Sequence, residues 1–194
     1  MEHSNFHLCR AIPLALSFIL LATTINGDFL SGLQQPTEKE KVEEALAILR
    51  DTNLLKSDPD PVMKAMSDLG QLRDPAAIED LVKLLAFRIR APWEKDPNRA
   101  VDFSMPRSRG MIYPAVNALV EIGPRSLPAL MKVIETHEPD SLETRNAMEA
   151  IVVLSRYERP GYVQKLKDAA ASASSVETVQ RLLKAAETLE QTKR

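Results

Sequence analysis

Cysteine is nearly absent from this chain: Cys9 stands alone among 194 residues. No intrachain disulfide can form, so stability has to come from an apolar core. Histidine is almost as scarce. His3 and His7 lie at the extreme N-terminus and only His137 lies in the body of the chain, which leaves no imidazole cluster for a metal centre. The six glycines form no glycine-rich phosphate loop and read as turn residues. Aromatic residues make up 5% of the chain, so packing falls to Leu, Ile, Val and Ala, a mixture that favours helices. Charge is balanced, with 25 basic residues against 27 acidic ones, and gives no basic footprint for nucleic acid. Adjacent carboxylates such as Glu43 and Glu44 read as a solvated helix face. The expectation is a chain that is not an enzyme, with no catalytic, cofactor-binding or metal-ligating residue and no cofactor.

What is present is a globular composition, 44% hydrophobic and 27% charged, long enough for one sizeable domain. The N-terminus departs from the rest. "MEHSNFHLCR" carries Arg10, the apolar run "AIPLALSFILLATTI" covers residues 11–25, and "NGD" follows. A basic head, a short apolar stretch and then small or polar residues is the order of an export signal. The run is shorter than the roughly 20 residues a membrane span needs. The competing reading is a first core helix, in which Pro13 would be awkward. Residues 1–27 are therefore expected to be a signal peptide, 28–36 a linker and 37–194 the folded domain. The chain is expected to be exported, periplasmic or extracellular, with no stable membrane span after processing.

Helical signals begin at Thr37. Thr37 and Glu40 form a capping-box pair, and Val42, Ala45, Leu46 and Leu49 follow at helical spacing. In "PVMKAMSDLGQLRDPAAIEDLVKLL", Val62, Met63, Met66 and Leu69 make one apolar stripe, with Pro61 at the start of the helix and Gly70 at its end. Asp74 caps a second helix with Pro75 in its first turn, and Ile78, Leu81, Leu84 and Leu85 supply its stripe. The unit is a helical hairpin.

The hairpin recurs. Val116, Ala118, Leu119 and Ile122 match the first stripe, Gly123 matches Gly70, and Leu127, Leu130, Val133 and Ile134 match the second. Met148, Ala150, Ile151 and Leu154 match again, with Pro160 placed after Leu154 as Pro75 is after Leu69. The last helix offers Leu183, Ala185, Ala186 and Leu189. One hairpin cannot bury its own apolar faces, so such units stack. In "LGQLRDPAAIEDLVKLL" and "EIGPRSLPALMKVIE" the chain resembles HEAT-like repeats, of the short bacterial type first described in phycobilin lyases. The resemblance implies an all-α fold, a short α-solenoid of helical hairpins. It implies little about function, because such repeats serve many partners.

The spacing is uneven. Leu69 to Ile122 is 53 residues, whereas Ile122 to Leu154 is 32. The excess is "RIRAPWEKDPNRAVDFSMPRSRG", an insertion at 88–110 that has three prolines and no helical period. A loop of this length inside a compact array is often functional. It holds six basic residues against three acidic ones and the single tryptophan. Arg88, Arg90, Trp93, Arg99, Arg107 and Arg109 are the candidate partner-binding residues, Trp and Arg being favoured interface anchors. The alternative is that Trp93 and Phe103 pack onto the solenoid while the arginines are solvated. The exposed faces of the second helices, with Glu79, Asp80 and Lys83 or Lys132 and Glu135, mix signs and give no stripe for a nucleic-acid backbone. The sequence thus reads as an exported, non-catalytic binding scaffold for a protein or peptide partner, with no nucleic acid. The alternative is an enzyme or enzyme-accessory protein of the chromophore-lyase type.

Overall fold

A computed structural model describes residues 36–90 and 109–192 of the chain, together with their side chains except that of Arg109. The expected signal peptide, 1–27, all of the expected linker 28–36 but Pro36, and the interior of the expected insertion lie outside the described residues. Those described contain nine α-helices and no strand. They are α1 (Glu38–Arg50), α2 (Leu54–Ser57), α3 (Pro59–Leu72), α4 (Ile78–Lys83), α5 (Pro114–Ile122), α6 (Leu127–Thr136), α7 (Leu142–Leu154), α8 (Arg159–Ser172) and α9 (Val176–Gln191).

The helix starts follow local chemistry. At α1, the Thr37 hydroxyl accepts from the Glu40 N–H at 3.3 Å and the Glu40 carboxylate accepts from the Thr37 N–H at 2.7 Å. These bonds hold the Glu40 carboxyl below its usual range. At α3, Asp58 accepts from the Asp60 N–H at 3.1 Å and Pro59 occupies the first turn, so the helix begins two residues before Pro61. Asp74 accepts from the Ala76 N–H at 2.8 Å, and a short 3₁₀ turn, Pro75–Ala77, leads into α4. The second hairpin repeats the device with Pro124–Ser126, where the Ser126 hydroxyl donates to the Leu119 and Gly123 carbonyls.

The two matched glycines do different work. Helix α3 does not end at Gly70. It continues to Leu72, and Arg73, with φ 53°, supplies the left-handed cap whose N–H donates to the Leu69 and Gly70 carbonyls. Gly70 lies inside the helix where α3 crosses α5. A Cβ there would sit 3.0 Å from the Ala118 Cα and 2.4 Å from Glu121 Oε2. Gly123, at φ 88°, does end its helix in a conformation reserved for glycine.

The helices pack in two rows. α1 lies against α3, α3 against α5 and α5 against α7, while α4 lies against α6. The first two hairpins thus stack as the repeat requires. Leu69, Leu81, Ile122 and Leu130 are buried as expected, as are Val42, Ala45, Leu46 and Leu49 of α1. At the C-terminal end the pattern changes. α9, not α8, lies beside α6, and α8 packs chiefly on α9.

Several core assignments shift: Met63 and Leu84, expected in the stripes of the first hairpin, are half-buried. In α7 the buried stripe is Ala147, Ala150 and Ile151, and Leu154 and Met148 are half-buried, because the helix runs out at Leu154. In α9, Leu182 fills the core while Leu183 is 45% exposed. In α4, Asp80, expected on a solvated face, is buried. Arg50 of α1 donates to one of its oxygens at 2.7 and 2.9 Å and Lys83 to the other at 3.1 Å.

Candidate functional site

The ends of the 88–110 insertion are anchored by specific contacts. After α4 the chain turns and continues without helix or strand through residues 87–90. The Ile89 N–H donates to the Ile112 carbonyl at 3.0 Å, which joins the outgoing and returning strands of the chain. Asn146 of α7, fully buried, donates its Nδ2 to the Leu85 carbonyl at 2.7 Å. On the returning side Asn117 of α5 donates to the Gly110 carbonyl at 3.1 Å. A Cβ on Gly110 would fall 1.8 Å from the end of the same side chain, so a larger residue there would push Asn117 off this bond. The insertion therefore leaves and re-enters the helical stack at a fixed place.

Arg88 and Arg90 stand exposed on the outgoing segment, and Arg109 opens a 3₁₀ turn, Arg109–Met111, on the returning one. Trp93, Arg99 and Arg107 lie outside the described residues, as does Phe103. The structure thus places Arg88 and Arg90 together and says nothing of the other side chains.

Those two arginines border a groove of about 490 Å³. Half-buried Leu55, Met63, Phe87 and Ile89 give it an apolar floor, and Lys56 and Asp60 stand opposite on the α2–α3 corner. Sequence reasoning missed Lys56 and Asp60. They lie about thirty residues upstream of Arg88, in "LLKSDPDP", and only the packing of α2 on α3 brings them to the insertion. A lysine between an apolar pair and a proline-rich helix start was the one available signal.

A second groove, about 660 Å³, runs between α1 and α3. Ala45, Ile48, Ala65 and Leu72 floor it, and its rim carries Lys41, Glu44, Lys64 and Asp68. Lys64 and Asp68 pair at 2.6 Å, and that bond raises the Lys64 ammonium above its ordinary range.

The buried polar groups are engaged in holding helix ends. Burial pushes the Asp80 carboxyl up, but the bonds from Arg50 and Lys83 outweigh this and hold it below the usual range. Arg181 of α9 is 10% exposed. It donates to the Glu135 carbonyl in the last turn of α6 at 3.1 Å and pairs with Glu177 and Glu138. His137, exposed, caps α6, with Nδ1 3.2 Å from the Val133 carbonyl. No group of three His, Cys, Asp or Glu among the described residues could hold a metal ion, and no helix among them is long and apolar enough to cross a membrane.

Residues 63–87 match the family model described as PBS lyase HEAT-like repeat. The match spans α3 from its second turn, the Asp74 cap, α4 and the chain to Phe87. No curated protein and no solved structure matches the chain. With α1 packed on one side of the matched unit and the α5–α6 hairpin on the other, the chain is an all-α helical-repeat protein that carries a HEAT-like unit.

Proposed function

We propose that this protein is an exported, non-catalytic scaffold that holds another protein or peptide through its helical repeats. The observation that carries the reading is how the buried polar side chains are used. Asp80 ties α1 to α4, the Ser126 and Ser155 hydroxyls donate to helix-end carbonyls, Thr144 closes a cap with Ser141, and Asn146 pins the foot of the insertion. Each is engaged in holding the fold. What is left for function is surface, including the two grooves described above and the insertion whose ends are anchored to the helical stack. Stacked hairpins present extended surfaces of that kind, and rigid scaffolds commonly carry their contacts on inserted loops.

Export rests on the order of charged head, apolar run and polar exit in residues 1–28. Intact-mass measurement of the protein from cells tests it. A mature chain beginning near Asp28, found outside the cytoplasm, is the expected result; a cytoplasmic form retaining Met1 would sink the idea.

A second reading has one point in its favour. The matching family model bears the name of a lyase, so a role as an enzyme or enzyme accessory acting on a pigment stays in view. Affinity purification from the exported fraction separates the two. A stoichiometric protein partner supports the scaffold, and a co-purifying pigment or other small molecule supports the lyase-type reading.

A further inference from the structure

The two grooves differ in charge, and the difference names a ligand. The rim of the α1–α3 groove is balanced, two lysines against two carboxylates, and one pair is closed by the Lys64–Asp68 bond. The groove at the foot of the insertion carries Lys56, Arg88 and Arg90 against Asp60 alone, a local surplus of two positive charges in a chain of net −2. Arg88 is already engaged within the chain. Among the described residues neither the Lys56 ammonium nor the Arg90 guanidinium has an ion-pair partner, and both are exposed. Between them lies an apolar floor that includes the Phe87 ring and the Met63 thioether. Phe and Met surfaces accept apolar side chains of varied shape, and unpaired cations beside them favour carboxylates and set their register.

The geometry points to this groove as the docking site for an extended acidic peptide segment of a partner protein. One apolar side chain rests on Leu55, Met63, Phe87 and Ile89, and carboxylates on either side of it meet Lys56 and Arg90. This rests on the scaffold reading and gives that reading a place and a ligand chemistry. The site needs no residue of the insertion beyond Arg90. The pinning of Leu85 by Asn146 and of Ile89 by Ile112 keeps one wall in position before any ligand arrives. Preformed walls reduce the ordering cost of binding.

The test is a selection of random phage-displayed peptides on the full chain. Synthetic copies of the enriched sequences are then titrated by fluorescence anisotropy. The expected peptides carry several Asp or Glu around one large apolar residue. Their affinity should fall by about tenfold or more in K56E/R90E, a charge reversal at the contact, and should weaken with added salt. Lys41→Glu, on the other groove, should leave it unchanged. Circular dichroism of each variant checks the fold, which exposed residues should not disturb. Enriched peptides without acidic residues, or peptides that bind K56E/R90E as tightly as the native chain, would overturn the assignment while leaving the scaffold reading intact. If the native chain enriches no peptide at all, the groove assignment falls, and the scaffold reading is decided by the affinity purification alone.

Discussion

Between Pro59 and Leu154 the helices stack by the rule of the repeat, α3 on α5, α5 on α7 and α4 on α6; between Arg159 and Gln191 they do not. There α9 takes the place beside α6, and α8 lies beyond it. Both regions have apolar stripes. Tyr162, Val163, Leu166 and Ala170 line α8, and Leu182, Ala185, Ala186 and Leu189 line α9. An apolar stripe states which face is buried and is silent on which neighbour buries it. The neighbour is chosen by directional contacts. Arg181 caps the end of α6 from α9. Lys167 and Glu190 pair between α8 and α9 at 2.7 Å, and Arg159 of α8 donates to the Thr192 carbonyl at the end of α9.

The largest expected effect separates the middle of the regular stack from its last residue. Leu69 is fully buried between α3 and its neighbours, whereas Leu154 is half-buried at the end of α7. Leu69→Ala should cost about 2–5 kcal/mol, because a cavity opens in a packed interior. Leu154→Ala should cost about 1 kcal/mol, since water already reaches part of that side chain. Urea unfolding of both variants measures the gap. Equal costs would mean that the end of α7 is as firmly packed as the central hairpins.

Next comes the contact that sets α9 beside α6. Arg181→Ala removes a charged bond to the Glu135 carbonyl and two ion pairs, and should cost about 1.5–3 kcal/mol. Its Nε is buried without a partner, which already offsets part of that gain. Hydrogen exchange should therefore show α8 and α9 opening more readily while α3 to α5 keep their protection. Uniform loss along the chain would show instead that the two regions unfold as one.

A smaller, pH-dependent effect tests the junction of α1 and α4. The Asp80 carboxyl is held below its ordinary value of 3.8 in the folded chain. A depressed folded value stabilises the fold above the unfolded value. That contribution is lost as pH falls from about 4 through the lower folded value. Arg50 and Lys83 are largely exposed, so screening limits the gain. Asp80→Asn should cost about 1 kcal/mol at neutral pH. The difference from the native chain should shrink below pH 4. A difference that stays constant with pH would assign the role of Asp80 to shape rather than charge.

The same comparison explains what could be read from the sequence. The all-α class, the hairpins and the core of α1 and α3 to α6 were legible, because helical periodicity and the Pro, Asp and Gly punctuation agree there. Three things were not. Gly70 looks like Gly123 in a sequence. One is set by the closeness of Ala118 on another helix and the other by its own φ, and the first cause is not local. Asp80 reads as a surface residue until Arg50, thirty residues earlier, is placed beside it. Lys56 joins Arg88 and Arg90 only through the packing of α2 and α3. Each of these depends on a tertiary neighbour, and no window of the sequence contains both partners.

The smallest effect expected is at the exposed positions of the two regular hairpins, and it checks the register of the whole stack. Glu79 follows Ile78 and precedes Asp80 in α4, yet it is exposed while both neighbours are buried. Lys132 stands at the corresponding outward face of α6 and reaches only Glu135, at 3.4 Å, with its own side chain 71% exposed. An exposed pair three residues apart contributes a few tenths of a kcal/mol in water. Alanine also has the better helix propensity, which offsets part of the loss. Glu79→Ala and Lys132→Ala should therefore each change stability by less than about 0.5 kcal/mol. Thermal melts of the two variants beside Leu81→Ala and Leu130→Ala, whose side chains are fully buried on the same helices, make the contrast within each helix. If Glu79→Ala cost as much as Leu81→Ala, α4 would be rotated from the orientation that buries Asp80. The Arg50–Asp80 bond and the wall of the groove that follows Leu85 would then have to move with it.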